Sequence, residues 1–174
     1  MSIDVIAPAG EPLAVDLLNT VHVADGQIVD SFATDEEVAD WLWAREAQVS
    51  ALLGAPVRRA PLLAAAPRMR KLRDAARQLA SAVVSDPREA VTPETEHADA
   101  VAILNGMAAS WVQLDWPATG SPVAVLGADG DAAELVVNAF GREVVSLLTS
   151  AEQRLRPCLA PSCEYLSLLH EPLT

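Results

Sequence analysis

Residues 156–170, RPCLAPSCEYLSLLH, hold the only two cysteines of the chain, Cys158 and Cys163. A C-x4-C pair around a proline and a serine looks like one half of a zinc knuckle. A structural zinc site closes with four ligands in a tetrahedron, and this stretch supplies Cys158, Cys163 and at most His170. Three states of the pair stay open: reduced thiols without metal, a zinc shared between two chains that each lend a pair, or a disulfide. The last would close so short a loop that it removes little chain entropy. The expectation is an incomplete metal site and no resident cofactor.

A second concentration of polar groups lies in DLLNTVH, where Asp16, Asn19, Thr20 and His22 fall within seven residues of apolar surroundings. If the stretch is helical, Asp16 shares a face with Asn19 or Thr20. Such a group could hold a small ligand, with His22 as a general acid or base beside Asp16 or Asp25. It could equally serve the backbone, since Asn and Thr routinely cap helices and satisfy buried peptide groups.

The third signal is charge. The net charge is −12, yet seven of the twelve basic residues lie between Arg58 and Arg77. An acidic chain repels polyanions as a whole, and Arg68, Arg70, Lys71 and Arg77 alternate with apolar residues as on any solvated helix face. Pairing with the acidic segments is the expected fate of these cations. Arg73 lies close to the apolar stripe and must either pair with a carboxylate such as Asp16 or point into a pocket at an anionic ligand. Sequence motifs for a phosphate loop, a zinc protease, a serine nucleophile elbow and a C-x2-C pair are all missing.

The elements that must position these groups are mainly helical. Thr34 and Glu37 form a capping-box pattern, after which Val38, Trp41, Leu42 and Val49 recur on one side until Gly54, predicting one helix over 34–54. APVRRAPLLAAAP, residues 55–67, has three prolines and reads as a surface connection. Met69, Leu72, Ala76, Leu79 and Val83 then mark a second helix. Thr92 and Pro93 open a third, with Ala100, Val101, Leu104 and Ala108 as its stripe. Val112, Leu114 and Trp116 alternate with polar residues, a PATGSP turn follows, and VAVL returns, which is a β-hairpin signal. Asp131 and Glu134 start a last helix whose Leu135, Val136, Ala139 and Val144 share a side. Residues 11–23 fit a short helix or a strand and turn, and Asp25-Gly26 marks a turn before an extended piece. The fold class expected is α+β, mainly α with a small β-hairpin, in one domain over 1–155 with a knuckle remnant over 156–174.

Three stretches, LAVDLLNTV with VDSFATDEEVADWL, MRKLRDAARQL, and VVSLLTSAEQRLRPCLAPSCEYLSL, together resemble the ABATE-type domain of the CGNR zinc-finger proteins, a family described as stress-induced transcription regulators. The resemblance covers nearly the whole chain in the right order. It implies that Cys158 and Cys163 match the first cysteine pair of the family's zinc finger, and that Arg73 matches an arginine recurrent in its helix. In the family a basic stretch and a second pair ending in Cys-Gly-Asn-Arg follow, whereas here HEPLT follows.

The function expected from this reading is a regulatory or small-molecule-binding domain that does not grip nucleic acid by itself. Asn19, Thr20, His22, Trp41 and Arg73 are its ligand-binding candidates, and His22 and Asp16 the catalytic ones. An enzyme that reuses the scaffold, or a zinc-dependent regulator, are the competing readings. A hydrophobic fraction of 51% with no run of roughly 20 apolar residues and no signal-peptide pattern points to a cytoplasmic homodimer without a membrane span.

Overall fold

Six helices and three antiparallel hairpins succeed one another in the computed structural model, which describes residues 12–24, 27–84, 95–115, 123–150, 155–157 and 166–168. The order is α1 (Leu13–Leu18), β1 (Val21–Ala24), β2 (Gln27–Asp30), α2 (Asp35–Trp43), α3 (Glu46–Leu53), α4 (Arg59–Val84), α5 (His97–Met107), β3 (Ser110–Asp115), β4 (Val123–Ala128), α6 (Ala132–Thr149), β5 (Leu155–Pro157) and β6 (Leu166–Leu168). The expected mainly helical α+β class is therefore the one observed.

The long α4 is the axis, and α1, α2, α5 and α6 all lie against it. Its buried face carries Leu62, Ala65, Ala66, Met69, Leu72, Ala76 and Leu79. Phe32, Phe140, Leu17, Leu18 and Leu42 close over that face and are withdrawn from water completely. Each such side chain contributes roughly 1.5–3 kcal/mol by burial. Together they form one continuous core.

Residues 55–67 correct the expectation of a surface connection, because α4 starts at Arg59 and runs through two prolines. Pro61 sits in the first turn, where a backbone N–H has no partner within the helix to lose. Pro67 withholds a donor from the Leu63 carbonyl, and both residues face solvent, where water replaces it. The helix predicted over 34–54 is likewise two. Its start is as expected: Thr34 Oγ1 accepts from the Glu37 N–H at 3.2 Å while Glu37 Oε2 accepts from the Thr34 N–H at 2.7 Å. The break comes at Arg45, whose N–H turns to the Leu42 carbonyl while its guanidinium takes the Trp41 carbonyl at 3.2 Å. That carbonyl is the one Arg45 N–H would have used in a continuous helix. Gly54 ends α3 with φ 70°, the left-handed conformation that favours glycine.

The hairpin β3–β4 stands where the alternation put it, with Val112 opposite Leu126 and Leu114 opposite Ala124. Trp116 and the PATGSP turn lie outside the described residues, as do Thr92 and Pro93; α5 is described from His97. In α5, Ala100 and Leu104 are buried as expected and Val101 is exposed; Val83 at the end of α4 is exposed too. Asp131 caps α6 by accepting from the Glu134 N–H at 2.9 Å. Gly141 lets α6 cross the end of α5, since a Cβ there would lie 2.1 Å from the Met107 carbonyl oxygen. The segment expected over 11–23 holds both a helix and a strand: α1 leads into β1, which pairs antiparallel with β2, while Glu11 and the Asp25-Gly26 turn lie outside the described residues. No helix among the described residues is long and apolar enough to cross a membrane.

Candidate functional site

The charged groups near the N-terminal segment form a continuous seam against α4. Asp16, on α1, accepts from Arg45 Nε at 3.2 Å. The Arg45 guanidinium lies 4.1 Å from the centroid of the Trp41 ring, a distance at which a cation is attracted to the indole face. Trp41 in turn meets Phe32 edge-on at 5.3 Å and Phe140 at 6.0 Å. Beyond Phe32 stands Arg73, only 4% exposed. Its guanidinium grips Asp30 through two bonds of 2.5 and 3.1 Å and donates to Asp74 at 2.9 Å. Arg73 is therefore paired, as one of the two expected alternatives required, but with Asp30 and Asp74; Asp16, the carboxylate suggested for it, belongs to Arg45. The reason is geometric, since β2 returns Asp30 to α4 while α1 points Asp16 toward the α2–α3 junction.

Partial burial pushes the Asp30 carboxyl up, but the Arg73 hydrogen bonds, the Phe32 N–H at 2.7 Å and the charges of Arg73 and Arg70 together hold it below its ordinary value of 3.8. Arg77, one turn further along α4, is also buried and donates to the carbonyls of Leu18 and Val21, the latter at 2.9 Å. It thus serves the end of α1, whose last carbonyls have no helical partner.

The residues singled out from the sequence divide as follows. Asp16, Trp41 and Arg73 all belong to this seam. Thr20 is buried and donates to the Leu17 carbonyl at 2.8 Å, the backbone-satisfying role open to it. Asn19 is buried at the end of α1. His22 is half-buried on β1, in register with Val29. Asp25, Cys158, Cys163 and His170 lie outside the described residues. Among the described residues no group of three or more His, Cys, Asp or Glu side chains is placed to hold a metal ion. The basic run is largely consumed within the chain: Arg59 with Asp40 at 2.5 Å, Arg68 with Glu134 and Asp131, and Arg70 with Asp35.

A second feature lies elsewhere. Between the α3–α4 turn and the first turns of α6 opens a cavity of about 350 Å³, walled by apolar side chains that include Leu53, Val57, Pro61, Leu135 and Val136. That volume falls at the lower end of the roughly 300–1,000 Å³ common for small-molecule sites. Arg58 is the charged residue of its wall. None of Asn19, Thr20, His22, Trp41 and Arg73 lines it. Sequence reasoning missed the cavity, together with Asp30, Phe32 and Arg45 of the seam. Arg45 was within reach, lying one helical turn from Trp41. The cavity depends on a meeting of residues 53–61 with 132–136 that no local pattern announces.

Helices gathered on one long α4 with short antiparallel strand pairs define a mainly helical α+β domain. The chain belongs to the ABATE family, whose model, described as "Putative stress-induced transcription regulator", matches residues 11–151. No curated protein matches it, and no solved structure does.

Proposed function

We propose that this ABATE domain is a regulatory module that binds a small, mainly apolar molecule in the cavity between the α3–α4 turn and the start of α6. The observation that supports this reading is the cavity itself: about 350 Å³ with Leu53, Val57, Pro61, Leu135 and Val136 in its wall. Its wall leaves apolar surface open to water, and covering such surface is favourable at roughly 25 cal/mol per Å². A ligand seated there provides that cover. The ligand sits there and not among Thr20, Trp41 and Arg73, whose polar and aromatic groups are already engaged by the protein.

The position also suits a signal. The wall joins the start of α4 to the start of α6, the two helices that carry most of the core. A ligand touching both favours the arrangement that apposes them, by as much as its affinity differs between arrangements. The net charge of −12 and the internal pairing of the basic run favour a ligand-binding role for this chain over direct capture of a polyanion.

Thermal melting with 1-octanol as probe tests the reading. The melting temperature should rise with octanol concentration in the native sequence. It should stay flat in Ala132→Phe, which puts a ring into the cavity from an exposed helix start, and in Leu135→Trp as an independent filling. Equal responses in all three proteins, or none in the native one, would remove the cavity as the site.

A further inference from the structure

We infer that the cavity selects amphipathic anions, an apolar body of medium length carrying a single carboxylate, and that Arg58 is the residue that reads the charge. The inference rests on the cavity reading above and adds the class of ligand. Its first support is the contrast between two adjacent arginines. Arg59 is held by Asp40 at 2.5 Å, whereas Arg58, in the cavity wall, has no ion pair or hydrogen bond among the described residues.

The second support is what surrounds it. The remaining wall is aliphatic side chain and proline, which offers a bound chain no competing charge. The carboxylates closest in sequence to the α6 side of the wall are Asp131 and Glu134; Arg68 forms an ion pair in direct contact with Glu134 and a looser one with Asp131 at 3.9 Å. Asp131 is further committed to capping the helix. Among the described residues these two acids are thus paired, whereas Arg58 has no such partner. An arginine fork matches a carboxylate with two parallel N–H donors, so an alkyl carboxylate can bury its chain among Val57, Pro61 and Leu135 and leave its head at Arg58.

The charge of the chain makes the preference diagnostic. With a net charge of −12 the protein as a whole repels anions and attracts cations. A preference for an anionic amphiphile must therefore come from a local group.

Isothermal titration of the full chain with octanoate, 1-octanol and octylammonium separates the contributions. These probes share a chain and differ in head group. Octanoate should bind the native protein roughly three- to fivefold tighter than octanol, the range of a solvent-exposed ion pair, and octylammonium more weakly than both. Arg58→Gln should bring octanoate down to the affinity of octanol and leave octanol unchanged; Arg58→Lys should keep part of the gap. Ala132→Phe should abolish binding of all three. Octanol binding as tightly as octanoate, with both lost in Ala132→Phe, would overturn the selection of anions and leave the cavity reading intact. No binding of any probe would overturn both. A preference for octanoate that survives Arg58→Gln would show that another group reads the charge and would overturn the role of Arg58.

Discussion

The seam around Trp41 and the cavity beside Arg58 use the same residue types to opposite ends. In the seam every cation has an assigned oxygen: Arg45 has Asp16, Arg73 has Asp30 and Asp74, and Arg77 has the carbonyls of Leu18 and Val21. Aromatic rings fill the space between them. At the cavity the apolar side chains line an open recess, and the adjoining Arg58 has no oxygen partner among the described residues. Polar residues crowded in sequence are thus the part of this protein most fully occupied with holding it together. Room for a second molecule exists where the sequence looks blandest, at a proline-interrupted turn.

The largest expected effect lies in the seam. Arg73→Ala removes the buried guanidinium that lies over Phe32 together with its aliphatic stem, and it should lower stability by about 3 kcal/mol in urea unfolding. Arg73→Met keeps the stem and leaves Asp30 and Asp74 partly solvated, so its loss should be clearly smaller. If the two variants lose the same amount, packing has no share in the seam and charge carries all of it.

Asp30→Asn should cost about 2 kcal/mol at neutral pH, since it leaves a buried guanidinium with Asp74 as its sole carboxylate. The dependence on pH has a definite sign. The folded-state pKa of Asp30 is depressed, so its contribution is complete above the ordinary value of 3.8 and is lost as pH falls through the lower folded value. The stability gap between the native protein and Asp30→Asn should therefore be constant from neutrality down to about pH 5 and shrink below pH 4. A gap that widens in acid would mean that Asp30 is stabilised in its protonated form.

How much of this was legible in the sequence follows from the range of each interaction. Thr34, Glu37, Gly54 and Asp131 act on peptide groups three or four residues away, and their helix ends stand where the pattern placed them. Alternation placed β3 and β4 for the same reason. The start of α4 was hidden because prolines signal a break, although a first-turn proline costs a helix nothing and Pro67 gives up its bond on the wet side. The split at Arg45 was hidden because a distant acid, Asp16, holds the side chain that competes for the Trp41 carbonyl. Arg73 was visible as a cation near the core. Its partner lay 43 positions away across a hairpin, and no local rule chooses between Asp16 and Asp30 at that distance.

Thr34→Ala probes the boundary between these scales. It removes the hydroxyl that accepts the Glu37 N–H, and the loss should be about 1 kcal/mol, typical of a helix cap. Because α2 also carries Trp41 and presents Asp35 to Arg70, fraying of its first turn should weaken the seam as well as the cap. A double-mutant cycle with Asp35→Asn would then show coupling beyond simple addition. Strict additivity would confine the cap to its own helix.

The smallest expected change in stability is the one that sharpens the contrast most. Arg58→Gln alters an exposed side chain with no ion pair or hydrogen bond among the described residues, so unfolding should shift by less than about 0.5 kcal/mol. Arg73→Ala is the opposite case, a buried arginine whose removal is felt throughout the seam. A residue can be dispensable for folding and necessary for recognition only if its charge is uncommitted in the unliganded protein, and stability and affinity measured on the same Arg58→Gln preparation test that condition directly. Unchanged melting with a lost octanoate preference would place recognition at Arg58. A loss of 1 kcal/mol or more would show instead that Arg58, like its neighbours along α4, already has a structural partner, and the distinction between the two regions would collapse.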